Sequence, residues 1–180
     1  MTTKLHLSKL DAALRQLETA VTLYFHSSDP ISIHTLTAAA YNVLQGIKKH
    51  RGAGFQMFKD ADMVYPEKRR EFRDMLNASE NFFKHADRDP TSDHEFSPDW
   101  TDFLLIDACE AYGRLTGERR PVLVAYMSWF CIRHPQYYET QPEVFRRASM
   151  LNGQYKETDG LLSSMKRSPR DTIHSREDEH

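Results

Sequence analysis

The chain is poor in most of the features that mark a specialised class of protein. Its 180 residues hold two cysteines, Cys109 and Cys131. Both sit in helix-like apolar stretches without ligand spacing, so they are expected to be small buried hydrophobes of a reducing compartment rather than a disulfide framework. An excess of charge is missing too: 24 basic against 26 acidic residues give a formal net charge of −2. That balance removes any global electrostatic case for nucleic acid or an anionic membrane and permits only local patches. The most apolar run, "PVLVAYMSWFCI" at 121–132, falls short of the ~20 residues a membrane span needs. The N-terminus, "MTTKLHLSKLDAALRQ", carries charges and no apolar core. No signal peptide is therefore expected, and the expected location is cytoplasmic. No stretch alternates polar and apolar residues as a strand does, and no repeat of fixed period is present.

What the chain does have is helical periodicity. With 39% hydrophobic and 28% charged residues it is long enough to bury a core as one domain. Leu7, Leu10, Leu14, Leu17, Val21 and Tyr24 recur at three- and four-residue steps, the period of one helix face. "HSSDP" at 26–30 stops that helix, and Ser28 or Asp29 is expected to cap a second one that starts on Pro30. The second helix, near 31–49, is expected to turn Ile33, Leu36, Ala40, Val43, Leu44 and Ile47 inward. Its small-residue centre, "TAAAYN", admits a close neighbour or leaves room for a bound molecule. A polar connection with a short helix near "GFQMFKDA" leads to Pro66, which opens a third helix. Phe72, Met75, Leu76, Ser79, Phe82, Phe83 and Ala86 are its expected buried stripe. Pro90 and Pro98 break the following loop, and a fourth helix near 101–115 is expected to end at Gly117. "RPVLVAYMSWFCIRH" is apolar nearly all round, which places it at the centre of the bundle or against a second copy of the chain. A short sixth helix is expected at "QPEVFRRASML". The expected architecture is an all-α, single-domain bundle of five to six helices over 1–151, followed by a disordered polar tail over 152–180.

The densest chemistry lies in "ENFFKHADRDPTSDHEF", residues 80–96. On the third helix Asn77, Asn81 and either Lys84 or His85 follow one another at helical steps and line a polar strip beside the buried stripe. Three readings apply. In the first the strip is a solvated helix edge, with Lys84 and His85 near the C-terminal end where cations favour the helix dipole. In the second His85, Asp87 and Asp89, with Asp93 and His94 beyond, hold a divalent metal, although their i+2 steps differ from the i+3 or i+4 spacing of helical ligands. An EF-hand loop is excluded, since Ser92 stands where its glycine belongs and Pro98 where its terminal Glu belongs. In the third His85 moves protons while Lys84 and Asn81 hold an anion, with His34, Tyr41 or Asp107 as the partner from elsewhere. Arg133 and His134 in "RHPQYY" cap a helix C-terminus and need no further role.

Taken together, "ISIHTLTAAAYNVL", "LNASENFFKHADRDP" and "LLIDACEAYGRL" make the chain similar to a family of small uncharacterised bacterial all-helical proteins. In that family a "TLAGAAEEIL"-like helix precedes an N-x-x-KH helix and an acidic DA…Y helix. The "N-x-x-KH" element also resembles, more remotely, the HEPN superfamily of helical bundles. That resemblance implies pairing as dimers and, in some members, metal-independent RNA cleavage through a short Arg-to-His motif. Asn81 and His85 match the later part of the motif. The nearest upstream arginine, Arg73, stands twelve residues before His85, further than the motif's short spacing.

The expected function is a non-enzymatic binding module, a homodimer, with a polar site at Asn77, Asn81, Lys84 and His85 and with His34 and Tyr41 beside the alanine-rich gap. A nucleotide, RNA or protein is its expected partner, with no membrane and no cofactor. The alternatives are a HEPN-like ribonuclease or toxin-type enzyme using His85 and Lys84, and a divalent-metal site at His85, Asp87 and Asp89.

Overall fold

Ser8 opens the first helix through a reciprocal cap. In the computed structural model its hydroxyl accepts from the Asp11 N–H at 3.0 Å, while the Asp11 carboxylate accepts from the Ser8 N–H at 2.9 Å, so two of the amide groups left over at a helix start are satisfied. Helix α1 then runs Lys9–Phe25. Asp29 caps the second helix by accepting from the Ser32 N–H at 2.8 Å, and α2 runs Pro30–Arg51 with proline in its first turn. It ends at Gly52, whose φ of 59° is left-handed backbone that favours glycine. The remaining helices are α3 (Arg69–Lys84), α4 (Asp99–Thr116) and α5 (Pro121–Arg133). Short 3-10 turns occupy Phe58–Asp60, Pro66–Lys68 and Pro135–Tyr137. Gly117, at φ 73°, stops α4 where the sequence placed the stop.

The structure describes residues 4–60, 62, 64–87 and 89–137. Among them there are five α-helices and no strand, an all-α single domain. The helix expected at 141–151, the tail at 152–180 and the boundary between them lie outside the described residues.

α1 packs most extensively on α2 and α2 on α4, with α5 laid across α1 and α4. Leu17, Val21, Leu44, Leu104, Leu105 and Tyr126 fill the contact. Tyr24, Phe25, Tyr126 and Trp129 meet edge to face or stacked at 5.2–6.1 Å between ring centres. Along α5 Leu123, Tyr126, Ser128, Phe130 and Cys131 are buried, and the other residues from Val122 to Ile132 are part-buried. None of the described helices is long and apolar enough to cross a membrane.

Two expectations about α3 change. Met75 and Ala86 are exposed, and Glu80 is buried in their place. The stripe turns by a residue because a carboxylate, not a methionine, meets the body of the fold.

Candidate functional site

That buried carboxylate organises a cleft. The Phe58–Asp60 turn hangs between α2 and α3 and delivers Lys59, whose side chain is only 3% exposed, against Glu80, which is 6% exposed. Burying an ammonium is costly unless a partner repays the lost hydration. Here Lys59 Nζ donates to Glu80 Oε2 at 2.9 Å and lies 5.3 Å from the centre of the Tyr41 ring, a cation–π contact. The other Glu80 oxygen accepts from Lys84 Nζ at 2.6 Å and from the Asn42 amide. Burial alone would push the Glu80 carboxyl up. The hydrogen bonds from Lys84 and Lys59 outweigh it and hold the group below its ordinary value.

A second carboxylate positions the turn itself. Asp107 on α4 accepts from the Phe58 N–H and from the Tyr41 hydroxyl, both at 2.6 Å, and the Tyr41 oxygen accepts in turn from the Lys59 N–H at 2.8 Å. Burial raises Asp107 above the usual carboxylate range, and burial beside Asp107 raises the Tyr41 phenol. Asp60, the last residue of the turn, accepts from its own Met57 N–H at 2.7 Å, from Gln45 at 3.0 Å and from Lys48. The turn is thereby tied to α2 at one end and to α4 at the other.

Above this floor lies a cleft of about 820 Å³ between α2 and α3. Asn42, Gln45, Gly46 and Lys49 form one wall and Arg73, Asn77, Glu80 and Asn81 the other, with Gln56 and Lys59 from the connection between them. The side chains of Lys49, Gln56, Arg73, Asn77 and Asn81 make no hydrogen bond or ion pair among the described residues.

The residues singled out in the sequence divide three ways. Asn77 and Asn81 line the cleft, and Lys84 reaches it through Glu80. Tyr41 lies fully buried beneath it, holding the turn. His34 and His85 are not among the residues that line it. His34, 2% exposed, donates to or accepts from Thr101 Oγ1 through Nδ1 at 2.9 Å and packs edge-on against Phe83 and Phe96. Its Nε2 and the nearby Thr37 hydroxyl have no hydrogen-bond partner among the described residues. Burial, with Lys59 next in weight, lowers its pKa to about 4. His85 caps α3 with its side chain 61% exposed, and among the described residues its one ion-pair partner is Asp87, at 3.9 Å. His94 turns back to Ser79 at 2.8 Å and stacks on Phe82. Among the described residues no three His, Cys, Asp or Glu side chains gather as metal ligands.

Sequence reasoning missed Lys59, Glu80, Asp60 and Asn42. One signal was available: Glu80 falls four residues after Leu76 and three before Phe83, on the apolar side of α3, where an acid requires a buried cation. Nothing in the sequence named Lys59 as that cation. No family model, curated protein or solved structure matches the chain.

Proposed function

We propose that the chain is a non-enzymatic binding module whose site is the cleft between α2 and α3. What carries this reading is unused hydrogen-bonding capacity around a fixed floor. Lys49, Gln56, Arg73, Asn77 and Asn81 line a cavity of about 820 Å³ and spend nothing on one another. Lys59 and Glu80 beneath them are fully committed to their mutual contact and to Asn42, Lys84 and Tyr41. A catalytic site wants the opposite, a nucleophile or base within hydrogen-bond reach of its partner and free to exchange a proton. The acid–base reading needed His85 in one cleft with a basic group and with His34, Tyr41 or Asp107. His34 is shut behind Phe83 and Phe96, and His85 faces outward beside Asp87. For the metal reading at His85, Asp87 and Asp89, the described residues supply the 3.9 Å His85–Asp87 pair and no group of three ligands.

A thermal-shift screen tests the proposal, with nucleotides, short RNAs, peptides and divalent metals offered to the native chain, to Asn77→Ala/Asn81→Ala and to His85→Ala. A cleft ligand at about 100 times its Kd stabilises by about 2.7 kcal/mol. That response should disappear in the double variant and persist in His85→Ala. RNA cleavage by the native chain, absent from a stably folded His85→Ala, would instead establish the HEPN-like enzyme. A metal response lost in His85→Ala would establish the metal site.

A further inference from the structure

The chemistry of the cleft walls narrows the occupant. Among the described residues every carboxylate at the cleft is already held by a cation: Asp60 by Lys48, Asp62 by Arg69 at 3.6 Å, and Glu80 by Lys59 at 2.9 Å and Lys84 at 2.6 Å. Lys49 on α2 and Arg73 on α3 remain without a counter-ion among the described residues, one on each wall. The site therefore favours a ligand that brings negative charge.

The neutral groups on the walls are carboxamides, each able to donate and accept at once. Along α3 they follow Arg73 at four-residue steps, Asn77 and then Asn81, and four helical residues rise about 6 Å. In an extended peptide, groups on the same side recur every two residues, about 6.6 Å apart. A row of asparagines at that spacing can pair with successive N–H and C=O groups of a main chain laid along the helix. Single-stranded RNA would bring charge at a similar interval, but it binds by stacking its bases on aromatic rings, and among the described residues no aromatic side chain lines the cleft.

Gly46 supplies an independent observation. It sits in the interior of α2, where glycine weakens a helix. A Cβ added there would meet nothing within 4 Å, so packing inside the protein does not call for glycine. Gly46 faces the cleft, and its bare backbone widens the cleft at mid-length, where a bound main chain would lie closest.

We propose that the cleft takes an extended acidic peptide segment of a partner protein, its carboxylates on Lys49 and Arg73 and its main chain on Asn77 and Asn81. This rests on the cleft being a binding site, as argued above.

Fluorescence anisotropy with a labelled nine-residue peptide of alternating Glu and Ala tests it, against a Lys/Ala peptide of the same length and a ten-nucleotide oligouridine. The native chain should bind the acidic peptide only, with affinity falling as salt rises. Lys49→Gln/Arg73→Gln should weaken binding about tenfold or more, the scale of one lost charge-assisted contact. Gly46→Leu should also weaken it while melting no lower than the native chain, which separates lost binding from lost folding. Absence of acidic-peptide binding overturns the proposal. If oligouridine binds instead and Asn77→Ala/Asn81→Ala abolishes that binding, the peptide is wrong and the cleft stands. If the peptide binds equally to native chain and variants, both the peptide assignment and the cleft fall.

Discussion

Helix α3 is attached to the rest of the protein by different physics from the helices it rests on. α1, α2, α4 and α5 share a core of aliphatic side chains and a knot of aromatic rings, each contact small and each replaceable by its neighbours. α3 buries a single apolar side chain, Leu76, and a single carboxylate, Glu80. Phe72, Phe82 and Phe83 reach the body from its edges, half-buried, through Phe58, His34, His94 and Phe96. Apolar contact fails gradually as atoms are removed. A buried ion pair fails all at once, because the partner left behind is a charge without water. Since α3 is one wall of the cleft, the existence of the cleft depends on the second kind of attachment.

The sharpest way to break this contrast is to remove half of the pair. Glu80→Ala strands the Lys59 ammonium and should cost about 3–5 kcal/mol, read by urea denaturation, with hydrogen exchange rising first in α3. A Leu17→Ala substitution in the common core should also cost about 2–5 kcal/mol, but it should raise exchange across α1, α2 and α4 together. If Glu80→Ala loosens the whole fold evenly, α3 is not a separately held element. Lys59→Met/Glu80→Leu should recover most of the loss, since it removes both charges.

Acid sharpens the same contrast. The folded pKa of His34, about 4, lies below its ordinary 6.5. Between those values the unfolded chain binds a proton that the folded chain refuses. Stability is therefore complete above pH 6.5 and is lost as pH falls towards 4, by up to about 3 kcal/mol. Glu80, whose folded pKa is lowered, loses its contribution in the same direction as the medium becomes more acidic still. Glu80 lies on α3 and His34 packs against its Phe83, so amide exchange in α3 should respond to acid before exchange in α1. In His34→Phe the upper part of the acid transition should vanish.

Smaller effects follow at the turn and at the wall. Tyr41→Phe leaves the Lys59 N–H without its acceptor and should cost about 2 kcal/mol, shown as a lower denaturation midpoint with unchanged m-value. Gly46→Ala should stabilise α2 by about 0.5–1 kcal/mol, because the added methyl meets no neighbour and the helix gains propensity.

Much of the body was legible. Asp29, Pro30 and Gly117 mark helix ends through local chemistry alone, and the structure places caps and stops on them. The short "GFQMFKDA" helix appears as the Phe58–Asp60 turn. α3 was read less well. A stripe drawn from apolar residues alone included Met75 and passed over Glu80, because periodicity ranks residues by hydrophobicity and cannot register an acid that is buried by pairing. Asn77 and Asn81 were found as a strip; on the facing wall the stretch ending at Asn42 was read as room for a neighbour or a bound molecule, while Gly46 and Lys49 were read only as helix.

The sequence by itself determined that the chain is helical, where its first four helices begin and end to within a few residues, and that a polar strip runs along the third. These follow from interactions no longer than a helical turn. The tertiary structure alone decided that Lys59 meets Glu80 across 21 positions and that Tyr41 reaches Asp107 across 66. It also decided that His34 is closed off while Asn77 and Asn81 face an open cleft. A charge becomes a site only when the fold brings its partner to it, and that pairing is set by how the helices pack.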